Sequence, residues 1–124
     1  MRILLVDDEE EFVATLAERL SLRGITADWV TNAHDAENLV NTQHYDLAVL
    51  DVKMPKVGGR ELKKILEKKQ PGIKTIYLTG HGSEEDYQAG SAEAEFYLMK
   101  PININDLIRK INDALDRKAQ GGGS

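Results

Sequence analysis

The chain has 124 residues, of which 41% are hydrophobic and none is cysteine, and its formal net charge is −5. This length suits one globular domain with its own core, and the lack of cysteine excludes a disulfide framework and a thiolate metal site. The acidic balance disfavours direct nucleic-acid binding and no apolar run suits a membrane span, so we expect a soluble protein of the cytoplasm without a membrane partner.

Strand-like and helix-like segments alternate along the chain. Runs typical of strands lie at about residues 2–6, 25–30, 46–51, 73–78 and 95–99. The first predicted helix ends at Gly24, the second begins at Asn32, the third ends before Pro71-Gly72 and the last begins near Asn103. The pattern is therefore a strand and a helix repeated five times.

This alternation predicts an α/β fold with a parallel sheet and helices on both faces, because parallel strands need crossover connections. The predicted fourth helix, Ser83–Ser91, has few large apolar residues and an internal glycine, so we expect it to be short and weakly held. Ligands of such sheets bind beyond the carboxyl ends of the strands, where the strand order reverses.

Chemically reactive side chains follow four of the predicted strands. They are Asp7 and Asp8 after the first, Asp51 at the end of the third, Thr79 after the fourth and Lys100 after the fifth. Because the carboxyl ends of parallel strands meet at one edge of a sheet, we expect these side chains to share one pocket.

Three carboxylates in one pocket repel one another unless a cation is bound or a pKa is raised. Oxygen ligands without nearby His or Cys favour Mg²⁺ over zinc. With the Lys100 ammonium and the Thr79 hydroxyl, the pocket has the groups of a phosphoryl-transfer site. Asp51 is the best candidate for the nucleophile, because it ends the most apolar strand and a carboxylate can form an acyl phosphate.

Four segments, taken in order and with their spacing, carry a specific resemblance to a known family. They are Leu5-Val6-Asp7-Asp8-Glu9, Asp51-Val52-Lys53-Met54-Pro55 with Gly59, Thr79-Gly80, and Tyr97-Leu98-Met99-Lys100-Pro101. The chain resembles the receiver domain of two-component response regulators over residues 1 to about 118. The resemblance implies a flavodoxin-like (βα)5 fold with strand order 2-1-3-4-5. We predict a receiver domain at 1–118 and a flexible tail or engineered remnant at 119–124.

The resemblance also implies a role for each residue of the pocket. Asp51 would accept a phosphoryl group from a sensor histidine kinase or a histidine phosphotransfer protein. Asp7, Asp8 or both, with Asp51 and the backbone carbonyl of Lys53, would hold Mg²⁺. Thr79 and Lys100 would bind the phosphoryl oxygens. The expected activity is Mg²⁺-dependent self-phosphorylation and self-dephosphorylation in signalling, not turnover as an enzyme.

The switch implied by the resemblance begins at Thr79 and Tyr97. Tyr97 matches the family's switch aromatic, which turns inward when Thr79 moves toward the phosphate. The surface of the fourth helix, fifth strand and fifth helix would then change its affinity for an output domain or partner protein. A phosphorylation-dependent dimer is one form that such a change could take.

Other interpretations of these residues stay open. An Asp-nucleophile phosphatase would also use Mg²⁺, but such enzymes usually have a second Asp where this chain has Lys53. A flavin-binding protein of this architecture needs a Ser/Thr/Gly-rich phosphate loop, which we do not find. A pseudo-receiver would only bind partners. Taken alone, the acidic run Asp7–Glu11 could simply favour the positive end of a helix.

Overall fold

The computed structural model describes the backbone of residues 1–80 and 96–123, and the side chains of residues 1–80 and 97–116. Five parallel strands form one sheet in the order β2-β1-β3-β4-β5. They are β1 (Arg2–Val6), β2 (Thr26–Val30), β3 (Leu47–Asp51), β4 (Lys74–Thr79) and β5 (Phe96–Met99). The predicted number, direction and order of the strands are confirmed.

Four helices lie in the described part of the chain. They are α1 (Glu10–Leu22), α2 (Ala33–Thr42), α3 (Gly59–Lys69) and α4 (Ile104–Gly123). The label α4 belongs to the last of the predicted helices, because the predicted fourth helix, Ser83–Ser91, lies outside the described residues. The backbone of α4 is helical through Gly123, and the domain boundary at residue 118 stays a prediction.

The ends of the helices are determined by local side chains. Asn32 is the N-cap of α2, as predicted, and its side-chain oxygen accepts a hydrogen bond from the Asp35 N–H at 2.8 Å. Gly24 follows the end of α1 with φ at 79°, a conformation that glycine adopts without a steric penalty. Before α4, the Asn103 side chain accepts from the N–H of Asn105 at 2.9 Å.

The sheet is covered on both faces, so most positions of the central strands β1 and β3 are apolar. Along β1, Ile3 and Leu5 face a cluster with α1 and α4, whereas Leu4 and Val6 face a cluster with α2 and α3. All five residues of β3 are buried. None of the helices in the described ranges combines the length and apolar character needed to cross a bilayer.

Candidate functional site

Three carboxylates meet where β1 and β3, two paired central strands, end. Asp7 and Asp8 follow β1, and Asp51 is the last residue of β3. One oxygen from each carboxylate lies within 4.8 Å of the others. Asp7 is fully buried, Asp51 is 6% exposed and Asp8 faces solvent. The cluster therefore has a buried floor and one carboxylate at its open side.

The Lys100 ammonium lies beside this cluster. It is 2.7 Å from Asp7 Oδ2 and 3.9 Å from Asp51 Oδ2. The Lys100 side chain is only 16% exposed, and its backbone N–H donates to the Thr79 carbonyl at 2.8 Å. The end of β4 thus positions Lys100 next to the end of β3.

Burial and crowding change the protonation of these groups. Burial is the main reason that the pKa of Asp51 rises to about 7, and the nearby charge of Asp7 adds to the rise. Burial also raises the pKa of Asp7, although Lys100 opposes this. For Lys100, burial would lower the pKa, but its bonds with Asp7 and Glu9 outweigh burial and raise it. The pocket therefore favours a bound cation.

The donor set fits a hard divalent cation. All three clustered side chains offer carboxylate oxygens, which Mg²⁺ prefers. Asp7 Oδ2 is buried, and apart from the Lys100 contact it has no hydrogen-bond partner among the described residues. Mg²⁺ keeps several of its waters, and the exposed side of the cluster near Asp8 leaves space for them.

The other predicted site residues occupy the surroundings of the cluster. Thr79 is 1% exposed, and its hydroxyl donates to the Gly80 carbonyl at 3.3 Å. Tyr97 is buried, and its ring packs edge-on against Tyr77 with 5.3 Å between the ring centroids. Lys53 lies two residues beyond Asp51 with an exposed side chain. The structure thus brings together Asp7, Asp8, Asp51 and Lys100, and places Thr79 at the adjoining strand end.

Two contacts of Lys100 were not predicted from the sequence. Its ammonium lies 2.7 Å from Glu9 Oε1 and 4.7 Å from the centroid of the Phe12 ring. Glu9 belongs to an acidic run that suits a helix N-terminus, and Phe12 has the spacing of a core residue of α1. Nothing in either pattern indicates Lys100, which is 91 residues beyond Glu9.

Comparison with known proteins identifies the family. The sequence model of the response regulator receiver domain matches residues 3–112, so the chain belongs to this family. It is 35% identical over 119 residues, 95% of its length, to the transcriptional regulatory protein TcrA of Mycobacterium tuberculosis, strain H37Rv. The chain spans 47% of TcrA, and between 27% and 55% of several other curated relatives.

Solved structures agree with the family and the fold. The CheY-like receiver domain protein of Methanospirillum hungatei JF-1 has a TM-score of 0.86 and 32% identity, covering 97% of each chain. A response regulator of Burkholderia pseudomallei, solved with a phosphorylated aspartic acid, a calcium ion and citrate, has a TM-score of 0.80 and 28% identity. The alignment covers 97% of this chain and 72% of that one.

The chain is therefore a receiver domain of two-component signalling, and receiver domains are phosphoacceptors. The predicted family and flavodoxin-like fold are confirmed. The roles assigned to individual residues stay predictions.

Proposed function

We propose that Asp51 is the phosphoacceptor of this domain. The observation that carries the proposal is the position of Asp51 at the end of a central strand. One of its carboxylate oxygens lies within 4.8 Å of carboxylate oxygens of Asp7 and Asp8, and its Oδ2 lies 3.9 Å from Lys100 Nζ. A carboxylate oxygen of Asp51 would attack the phosphorus of a phosphohistidine. The phosphorus–nitrogen bond would break, and the released imidazole would take up a proton.

We assign the cation to the carboxylates of Asp7, Asp8 and Asp51, with the Lys53 backbone carbonyl as a further ligand. Mg²⁺ bound there would neutralise charge on the transferred phosphoryl group. Asp51 attacks only in its ionised form, and burial works against ionisation. Asp7 is buried beside it, so the two carboxylates are held close despite their repulsion.

Lys100 and Thr79 would bind oxygens of the phosphoryl group. Lys100 Nζ lies 3.9 Å from Asp51 Oδ2, and Thr79 presents a hydroxyl at the adjoining strand end. These groups would serve small phosphodonors as well as a partner kinase. The expected solution chemistry is Mg²⁺-dependent self-phosphorylation followed by self-dephosphorylation.

The signal would leave the site through Thr79 and Tyr97. Thr79 and Lys100 are linked by a backbone hydrogen bond of 2.8 Å, so a phosphoryl group that draws both side chains moves the ends of β4 and β5 together. Tyr97 lies in β5 and packs on Tyr77 of β4. We infer that phosphorylation shifts this pair of strands and the neighbouring helices toward a minor state. In that state the surface would bind its partner with a different affinity.

The partners follow from the family. A sensor histidine kinase or a histidine phosphotransfer protein would supply the phosphoryl group, and an output domain or separate protein would bind the surface around β5 and α4. The longer curated relatives, such as the transcriptional regulator TcrA, favour an output domain in the same chain. We infer that the receiver domain spans residues 1–118 and that it acts in the cytoplasm. A phosphorylation-dependent dimer is consistent with Met99, a half-exposed apolar residue of β5.

The test is intact mass after incubation with acetyl phosphate and Mg²⁺. The native chain should gain one labile phosphoryl group, and the gain should disappear in Asp51→Asn and when Mg²⁺ is chelated. Asp113→Asn, at an exposed position of α4, is the matched control and should behave as the native chain. An equal gain in Asp51→Asn would contradict the assignment. Steady turnover of a small phosphate ester would instead favour an Asp-nucleophile phosphatase.

A further inference from the structure

The Lys100 ammonium is held at the α1 side of the pocket. It contacts Asp7 and Glu9 at 2.7 Å each and lies over the Phe12 ring, whereas Asp51 Oδ2 is 3.9 Å away. All three contacting residues belong to the segment that follows β1. A separation of 3.9 Å is too long for a hydrogen bond. In the unphosphorylated protein, then, the ammonium bonds to residues other than the proposed phosphoacceptor.

The position of Glu9 explains how its side chain reaches Lys100. Glu9 is the N-cap residue of α1, and its backbone N–H donates to Asp7 Oδ1 at 2.9 Å. The side chain of a Ser, Thr, Asp or Asn at this position accepts a hydrogen bond from the first turn of the helix. That of Glu9 makes no such bond. It extends instead across the mouth of the pocket to Lys100.

Glu9 bonds to the Lys100 ammonium from the exposed side of the pocket. The Glu9 side chain is 64% exposed, but that of Lys100 is 16% exposed and its ammonium lies over Phe12. Packing therefore keeps Lys100 inside the pocket without Glu9. A phosphoryl group on Asp51 would present anionic oxygens to the same ammonium, and each bond from Lys100 to Glu9 removes one of its three donors.

We propose that Glu9 is a positioning residue that competes with the phosphoryl group for Lys100. It stabilises the resting arrangement of the ammonium and so slows phosphorylation of Asp51. The inference rests on the proposed function of Asp51 and assigns a regulatory contact to that site. An ion pair with one exposed partner is weak, so the expected effect of removing it is modest.

The test compares phosphorylation rates of three variants with the native chain, using acetyl phosphate and Mg²⁺ over a range of donor concentrations. Glu9→Gln removes the charge, and Glu9→Asp keeps the charge but shortens the reach to Lys100. Glu10→Gln is the matched control. Glu10 is an exposed neighbour of Glu9, and this substitution changes the net charge by the same amount as Glu9→Gln. Urea unfolding of each variant verifies that the fold is retained.

We expect Glu9→Gln to raise the maximal rate by about two- to fivefold, the size of a weak ion pair, with little change in the half-saturating donor concentration. Glu9→Asp should also raise the maximal rate, and the rate of Glu10→Gln should equal that of the native chain. Equal acceleration by Glu9→Gln and Glu10→Gln would mean that net charge alone repels the donor, and would overturn the proposal. So would an unchanged or lower rate in Glu9→Gln.

The result also separates this inference from the function on which it rests. If the native chain is phosphorylated on Asp51 but Glu9→Gln is not accelerated, only the role of Glu9 fails. If the native chain gains no phosphoryl group on Asp51, the proposed function fails and the inference falls with it.

Discussion

Gly59 lies so close to the backbone of Asp51 that a side chain does not fit between them. A Cβ at Gly59 would come within 2.5 Å of the Asp51 carbonyl oxygen. The Gly59 N–H also donates to the Val52 carbonyl at 3.0 Å. Helix α3 therefore begins directly against the end of β3, and this contact helps to position the proposed phosphoacceptor.

We expect Gly59→Ala to lower the free energy of unfolding by about 1–3 kcal/mol, because backbone atoms must shift to admit the methyl group. Helix propensity alone would predict the opposite, a stabilisation of up to about 1 kcal/mol. Urea unfolding measures the sign directly. Gly58→Ala is the control, since its Cβ would meet the Val52 carbonyl at 3.0 Å and should cost less. A Gly59→Ala protein as stable as the native chain would show that the close contact can relax freely.

The raised pKa of Asp51 predicts how the metal-free protein responds to pH. Burial raises this pKa to about 7, so the folded protein holds a proton that the unfolded chain has lost. Between about pH 4 and pH 7 the native state then binds more protons, and stability falls as pH rises, by up to about 1.4 kcal/mol for each pH unit. Above that range the loss is complete.

Asp51→Asn removes the loss of stability that ionisation of buried Asp51 causes. In the presence of a chelator, the variant should therefore be more stable than the native chain. The difference should be small near pH 4 and reach about 2–4 kcal/mol near pH 8. Urea unfolding at both pH values tests this. A difference that does not change with pH would mean that Asp51 is ionised throughout the range in the folded protein.

Asp28, a partly buried carboxylate, has the opposite dependence on pH. Asp28 Oδ2 accepts hydrogen bonds from the Tyr45 hydroxyl at 2.6 Å and from Arg2 Nε at 3.0 Å. Burial would raise the pKa of Asp28, but these two donors outweigh it and lower the pKa. The bonds therefore add stability above the unfolded pKa of about 3.9, and this stability is lost as pH falls through the lower pKa of the folded state.

We expect Tyr45→Phe to lower the free energy of unfolding by about 1–2 kcal/mol at neutral pH, because a hydrogen bond to a charged group is lost. The loss should shrink in acid, as the pH falls below the unfolded pKa of about 3.9 and toward the lower pKa of Asp28 in the folded state. Urea unfolding at neutral pH and at acidic pH measures the loss of stability under each condition. If the loss were equal at both, the hydroxyl would contribute through packing and not through the charge of Asp28.

The sequence predicts the sheet well because its signals are local. Each of Asp7, Asp51 and Lys100 comes directly after or at the end of an apolar run, and parallel strands bring their carboxyl ends to one edge. The order of the strands came from the family resemblance, which depends on the spacing of these same residues. The cluster of carboxylates could therefore be expected before the structure was known.

The contacts that tune the site depend on tertiary packing and have no local signal. Glu9 and Lys100 are 91 residues apart, and only the pairing of β4 with β5 brings the ammonium to the N-terminus of α1. The close approach of Gly59 to Asp51 also depends on tertiary packing. The motif includes this glycine, but only the three-dimensional structure shows which atom excludes a side chain.

Gln70, at the end of α3, bonds to the stretch 40–45 between α2 and β3, a link that no sequence pattern indicates. Its amide Nε2 donates to the Val40 carbonyl at 2.9 Å and the Gln43 carbonyl at 2.6 Å, and Oε1 accepts from the Tyr45 N–H at 2.9 Å. Because Tyr45 is fully buried, Gln70→Ala should cost about 2 kcal/mol in urea unfolding. Gln43→Ala is the control, since the Gln43 side chain donates to the carbonyl of His44, an exposed residue, and the change should cost less than about 0.5 kcal/mol. Equal costs would mean that water replaces Gln70 at the Tyr45 N–H.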